Sequence, residues 1–250
     1  MPPRVTITGL DGIPEVRAGA DLATAILEGV RATGETLRDG DLLVVTHKIV
    51  SKAEGQLIDL RAITPSDLAR RHAARWEKDA RQIEVVLREA ARIVRMERGL
   101  IIAETRHGFI CANAAVDNSN VEPDFVCLLP VDPDASAAGI REGIRAATGL
   151  DVPVIISDSF GRAWRYGIVN VAIGVAGLDP LADYRGKQDT FGQTMHASIL
   201  AVADELASAA ELVANKFDSR PVALIRGYQF TRAEGSYRAL LMDPARDLFR

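Results

Sequence analysis

The apolar positions of this chain fall into short continuous runs, set apart by polar or Gly/Pro-marked turns and by several stretches with helical spacing. Residues 5–8 alternate and predict a first strand, followed by a punctuated loop over 9–14. Asp21 stands where a helix cap belongs, ahead of Leu22, Ile26 and Val30 on one face, which predicts a helix to about Thr33. After the turn Asp39-Gly40-Asp41, residues 42–45 are a continuous apolar strand. Residues 65–91 read as a charged helical stretch with Leu68, Trp76, Ile83, Val86 and Leu87 facing inward. Residues 93–97 and 100–104 predict two strands around the turn Arg98-Gly99. Arg106-His107-Gly108 makes a second turn, and residues 109–112 follow it as another apolar segment.

Residues 125–131 predict a further strand, and 134–148 an amphipathic helix ended by Gly149. Residues 154–156, bounded by Pro153 and a polar cluster, have the β-branched content of a buried strand. Residues 169–175 are again apolar, and Gly174 and Gly177 permit close backbone approach. A helix from about Met195 to Ala214 and a strand over 222–225 complete the pattern. Strands and helices intermingle without a regular βαβ alternation. The expected class is therefore mixed α/β (α+β), with residues 1–250 forming one unit or two interleaved subdomains.

Composition narrows this picture only in part. The chain has 250 residues, a formal net charge of −4 and 48% hydrophobic residues, enough for a sizeable core. That charge balance speaks against a protein that coats nucleic acid. Cys111 and Cys127 are the two cysteines and form no C-x-x-C pair, so neither a disulfide framework nor a structural zinc site is expected. No leader pattern opens the chain and no apolar run reaches bilayer length, which makes a cytoplasmic protein without a membrane partner the expectation.

The chemistry-bearing stretches follow predicted strands. Ser157-Asp158-Ser159 closes the run 154–156, and Gly161, Arg162 and Arg165 come next in an expected turn. Carboxylate and hydroxyl oxygens suit a hard cation such as Mg²⁺, and arginines suit phosphate; a polar turn with solvated arginines fits the same residues. Just past the strand 42–45 stand His47, Lys48, Ser51 and Lys52, where the lysines are either phosphate-binding point charges or the start of a solvated helix. Residues 113–120, Asn-Ala-Ala-Val-Asp-Asn-Ser-Asn, read as a loop of self-capping Asx turns, or as a loop in which Asp117 ligates a metal and Asn120 recognises a ligand. The P-loop, the dinucleotide fingerprint, H-E-x-x-H and the G-x-S-x-G elbow are all absent. Cys111 reads as a small buried apolar group, and His72 and His196 as structural histidines.

Several stretches taken together resemble the coenzyme F420-0:L-glutamate ligase (F420:γ-glutamyl ligase) family. They are G-I-P-E from Gly12, H-K-I-V-S-K-A-E-G from His47 and A-A-V-D-N-S-N from Ala114. They continue as S-D-S-F-G-R-A-W-R from Ser157, V-A-I-G-V-A-G-L from Val171, D-Y-R-G-K-Q-D from Asp183 and A-D-E-L-A-S-A-A-E-L-V from Ala203. The likeness runs in one order from about Gly9 to Gly227. It implies an intertwined two-domain fold and a homodimer. It implies a GTP-dependent ligase joining L-glutamate to the phospholactyl carboxylate of coenzyme F420-0 through an acyl phosphate, with Mg²⁺ or Mn²⁺ required and K⁺ stimulating.

By the same resemblance, Ile13, Pro14, Glu15, Val16, His47, Lys48, Lys52, Asn120 and Lys216 are expected at the nucleotide. Asp117, Asp158 and Ser159 are expected at metal, and Asp158, Arg162 and Lys52 in catalysis. The chain departs from its relatives at His47, where family members often carry Ser or Gln. It departs again at Lys216, where archaeal members tend to carry a metal-binding Gln; a protonated lysine has no lone pair to offer a cation. The long C-terminal reductase-like extension of some actinobacterial relatives is not expected here. Two other readings use the same residues: a nucleotide-dependent amide ligase acting on a different carboxylic acid, and a nucleotide-binding homologue without turnover.

Overall fold

The structure, a computed structural model, describes residues 2–214 and 217–248. β1 (Thr6–Gly9) leads into a loop that ends at Asp21, whose carboxylate accepts a hydrogen bond from the Thr24 amide and starts α1 (Leu22–Ala32). β2 (Leu42–Thr46) passes directly into the short α2 (His47–Ala53), and β3 (Leu57–Asp59) follows. Ser66 caps α3 (Asp67–Trp76), which stops where Glu77 takes a left-handed conformation at φ 52°. Asp79 then caps α4 (Ala80–Glu89). The single helical stretch expected over 65–91 is thus two helices, since a new cap two residues beyond a left-handed residue starts a new axis.

β4 (Ala90–Glu97), β5 (Leu100–Thr105) and β6 (Ile110–Ala112) form an antiparallel sheet in that order, and β7 (Phe125–Cys127) pairs with β3. Asp132 caps α5 (Pro133–Thr148), with Pro133 in its first turn and Gly149 ending it at φ 75°. β8 (Val154–Arg162) and β9 (Arg165–Ala176) form a long antiparallel hairpin. β10 (Ala182–Asp183) pairs with β11 (Ile199–Leu200), α6 spans Val202–Ala214, and β12 is Val222–Arg226.

Two expectations are corrected here. The strand expected to end at Ile156, ahead of a turn at Gly161 and Arg162, continues as β8 to Arg162, because Ser157, Asp158, Ser159, Phe160 and Gly161 each find a partner on β9. The helix expected from Met195 begins only at Val202, because Ile199 and Leu200 pair instead with Asp183 and Ala182.

The main sheet has the order β1-β12-β2-β8-β9, with β2 and β8 parallel and the remaining pairs antiparallel. Its inner strands β12 and β2 and the first half of β8 are apolar on both faces because helices cover both. On one face Leu43, Val45, Val154 and Ile156 pack with Ile26 and Val30 of α1 and Ile140 and Ile144 of α5. On the other, Leu42, Val44, Ile155 and Ile225 pack with Ala203, Leu206, Ala207 and Ala210 of α6. A third buried cluster, separate from these two, joins α3, α4 and β5 through residues such as Ala73, Val86 and Ile101. The class is α+β, as the mixed pattern predicts. Among the described residues no helix is long and apolar enough to cross a membrane.

One irregularity interrupts the sheet at the point where β8 turns polar. Between the pairs Ile156–Gly174 and Ser157–Ala172, β9 carries Ile173 as an extra residue. Carboxylates from both helical layers hold the bulge: Asp204 of α6 accepts from the Ala172 amide and Asp134 of α5 from the Val175 amide, each at 2.8 Å. Burial raises the pKa of Asp204. Gly174 is needed at this crowded point, because a Cβ there would sit 2.4 Å from the Pro133 carbonyl oxygen.

Candidate active site

A cavity of about 690 Å³ opens at the carboxyl ends of β2 and β8. In open sheets with parallel strands this is where strand ends release the chain into loops and leave room for a ligand. β2 delivers α2 to its wall. Within α2, His47 and Ser51 stand one turn apart on a buried face, His47 Nδ1 being 3.3 Å from Ser51 Oγ. Lys48 and Lys52, also one turn apart, line the cavity. β8 alternates across the sheet, so Asp158 faces α2 and Ser159 faces α6.

Asp158 Oδ1 lies 3.2 Å from His47 Nε2 and accepts from the Ser159 amide at 2.6 Å. The histidine contact is poorly aligned, and Nε2 makes no hydrogen bond although His47 is only 2% exposed. On the α6 side, Ser159 Oγ donates to Asn170 Oδ1 at 2.7 Å, and Asn170 Nδ2 donates to Glu211 Oε2 at 2.9 Å.

The third wall is the loop after β6. Asn113, Ala114 and Ala115 are consecutive left-handed residues, with φ of 52°, 50° and 57°. Such conformations are unfavourable for non-glycine residues and cluster where a loop is held for function. The loop is anchored to β7 by paired backbone hydrogen bonds between Asp117 and Cys127. The Asp117 carboxylate accepts from the Ser119 amide at 2.7 Å and lies 2.7 Å from Lys48 Nζ. Burial opposes its charge, but the Lys48 ammonium and the Ser119 donors outweigh burial and hold it below the usual aspartate range. The Asx turn read from the sequence forms at Asp117 and Ser119, in a loop whose Asp117 and Asn120 also line the cavity.

Ile13, Pro14, Glu15, Val16, His47, Lys48, Lys52, Asp117, Asn120, Asp158 and Ser159 all line this cavity. Arg162 does not. It sits exposed at the end of β8, where Nη2 donates to the Tyr166 carbonyl. Lys216 lies outside the described residues. Lining residues given no role from the sequence include Asn170, Glu211 and Arg220, the last paired with Asp11 and Asp218. Glu211 lies inside the A-D-E-L-A-S-A-A-E-L-V stretch, but on an Ala-rich helix nothing marks one glutamate as facing a cavity. Cys111 and Cys127 are buried, and burial pushes their thiols up to about 12 and about 11, so neither is an activated nucleophile.

Asp117 and Asp158 supply carboxylate oxygens and Ser159 a hydroxyl, a donor set suited to a hard divalent cation. Among the described residues no three His, Cys, Asp or Glu side chains converge into a ready-made cage. Mg²⁺-type sites usually take one or two carboxylates and fill the remaining positions with water and substrate phosphate, so this donor set fits such an ion.

Residues 12–227 match the family described as F420-0:Gamma-glutamyl ligase. Across 249 residues the chain is 44% identical to the coenzyme F420:L-glutamate ligase of Methanothermobacter thermautotrophicus, covering 98% of this chain and 99% of that protein. It is 47% identical over 241 residues to the enzyme of the same name from Methanopyrus kandleri, with 94% of each chain covered. With that from Methanocaldococcus jannaschii the identity is 43% over 215 residues, or 86% of each chain.

Proposed function

The chain belongs to the F420-0:gamma-glutamyl ligase family, and from that premise we propose that it joins L-glutamate to the phospholactyl carboxylate of coenzyme F420-0 as an amide, using GTP. The observation that carries this reading is the convergence of Lys48, Lys52, Asp117 and Asp158, from three separate segments, on one cavity. A free carboxylate does not condense with an amine in water, because its oxygen is not a leaving group. Transfer of the GTP γ-phosphoryl group to that oxygen gives an acyl phosphate. Attack by the glutamate nitrogen, as the free amine, then forms the C–N bond; phosphate departs with the C–O electron pair and takes up the proton that the nitrogen loses.

The residues divide this work by charge. Lys48 and Lys52 are positioned to bind phosphate oxygens, after exchanging their present partners, Asp117 and Glu15. Asp117, Asp158 and Ser159 would hold Mg²⁺ or Mn²⁺, which supplies charge neutralisation between two polyanions as the phosphoryl group moves. His47 backs Asp158 from the buried side, while the Ser159 amide holds the carboxylate by its hydrogen bond. Ile13 to Val16 and Asn120 form the wall against which the nucleoside would rest.

The reading also includes a homodimer and stimulation by K⁺. Tyr166 and Ile168, exposed on the β8–β9 hairpin, supply apolar surface that a second subunit would cover. The test is mass spectrometry of purified protein incubated with GTP, Mn²⁺, L-glutamate and F420-0. Product heavier by one glutamyl residue, dependent on GTP, supports the reading. A product formed only with another carboxylic acid, or nucleotide binding without any product, refutes it.

A further inference from the structure

The carboxylates lining the cavity differ in one respect. Asp117 faces Lys48, Asp158 faces His47, and Glu15 faces Lys52. Glu211 has no basic partner among the described residues, and its one hydrogen bond there is from the Asn170 amide to Oε2. It is also on the other side of the sheet edge, on α6, away from the two lysines of α2. The cavity therefore has one end lined by the two lysines of α2 and another where Glu211 faces no basic side chain among the described residues, since the lining Arg220 is held by Asp11 and Asp218. A polyphosphate is attracted to the first end and repelled from the second. A primary ammonium group is drawn to the second.

Glu211 is held in place. Asn170 is 5% exposed, and its side chain is fixed at both ends, accepting from Ser159 and donating to Glu211. Its backbone carbonyl accepts from Ser208 Oγ at 2.7 Å, which ties β9 to the same helix that carries Glu211. This relay runs to Ser159, next in the chain to Asp158, so the carboxylate end and the phosphate end are set relative to one another by a rigid strand pair. We propose that Glu211 binds the α-ammonium group of the incoming L-glutamate, takes one proton from it to free the nitrogen lone pair for attack, and so determines that an amino acid is the acceptor. The inference rests on the ligase reading above and names the acceptor-binding residue of that same site.

The test compares two nucleophiles. Hydroxylamine is uncharged near neutral pH and traps an activated carboxylate as a hydroxamate without an ammonium-binding carboxylate. Glu211→Gln keeps an oxygen for the Asn170 amide but loses the charge. This variant should raise the KM for L-glutamate about tenfold or more, the scale of a lost charge-assisted hydrogen bond. It should also keep GTP- and F420-0-dependent hydroxamate formation close to wild type. Glu211→Asp, which retains the charge, should recover part of the glutamate use and also serves if the Gln variant melts uncooperatively.

An unchanged KM for glutamate in Glu211→Gln overturns the inference. So does loss of hydroxamate together with an increased Mn²⁺ requirement, which would make Glu211 a cation ligand. If wild-type protein forms neither glutamyl product nor hydroxamate, the ligase reading itself fails, an outcome distinct from either of these.

Discussion

Lys48 reaches from α2 to the loop after β6, where its Nζ lies 2.7 Å from Asp117 Oδ2. The pair links the main sheet, which carries α2, to the segment that packs around the third core. It also joins a residue proposed for phosphate to one proposed for metal. Each therefore holds the other's charge until a nucleotide and a divalent ion arrive together.

That pairing has a pH signature. The folded-state pKa of Asp117 is lowered, so its contribution to stability is fully present above the unfolded aspartate value, near pH 4, and is lost as pH falls through the lower folded value. Asp117→Asn should therefore flatten the acid limb of a Tm-against-pH curve below about pH 4. An acid limb identical to wild type would show that the pair adds no stability.

Lys52 is mostly buried, and Glu15, its partner, is largely exposed, so the ammonium is held at the cavity by a group that solvent can take over. Lys52→Ala should weaken GTP binding by about 1.5–3 kcal/mol, the range for a hydrogen bond to a charged group. Calorimetric titration reads this directly. Equal affinities would return Lys52 to a structural role.

Away from the cavity, Asp41 is fully buried and receives Arg226 through two bonds, Nε to Oδ1 at 2.8 Å and Nη2 to Oδ2 at 2.9 Å. Arg226→Met removes the cation and leaves a buried carboxylate. The expected loss in a urea titration is about 3 kcal/mol, the lower end for breaking a buried pair because Arg226 is itself partly exposed. A change under about 0.5 kcal/mol, typical of surface substitutions, would contradict this account.

The parts of the fold legible in the sequence are those fixed by local chemistry. Leu42 to Val45 are apolar in a row because α1 and α6 cover opposite faces, and Asp21 caps α1 through its own third neighbour. The parts that are not legible depend on residues far apart. Ser157 to Gly161 read by composition as a polar cluster leading into a turn and become strand only because β9 supplies partners. Ile199 and Leu200 continue the helical pattern but are claimed by Ala182 and Asp183. At the cavity, the segments that carry Lys48, Asp117 and Asp158 are recognisable as motifs. Glu211 also lies in a matched stretch, but nothing there marks it out, because its place at the cavity comes from Asn170 across a helix–sheet contact. Arg162 belongs to a motif but is carried out along the hairpin, away from the cavity.

In the proposed reaction the cavity at the ends of β2 and β8 activates the carboxylate, with Asp158 as an essential ligand-binding group. Asp158→Asn tests it most directly, since the amide oxygen can still accept from the Ser159 amide while the negative charge is removed. The measurement is GTP-dependent glutamyl addition to F420-0, read by mass spectrometry alongside the thermal melt of the same preparation. The expected result is no detectable glutamyl product with an unchanged cooperative melt. Wild-type turnover by Asp158→Asn at ordinary Mg²⁺ concentration would contradict it.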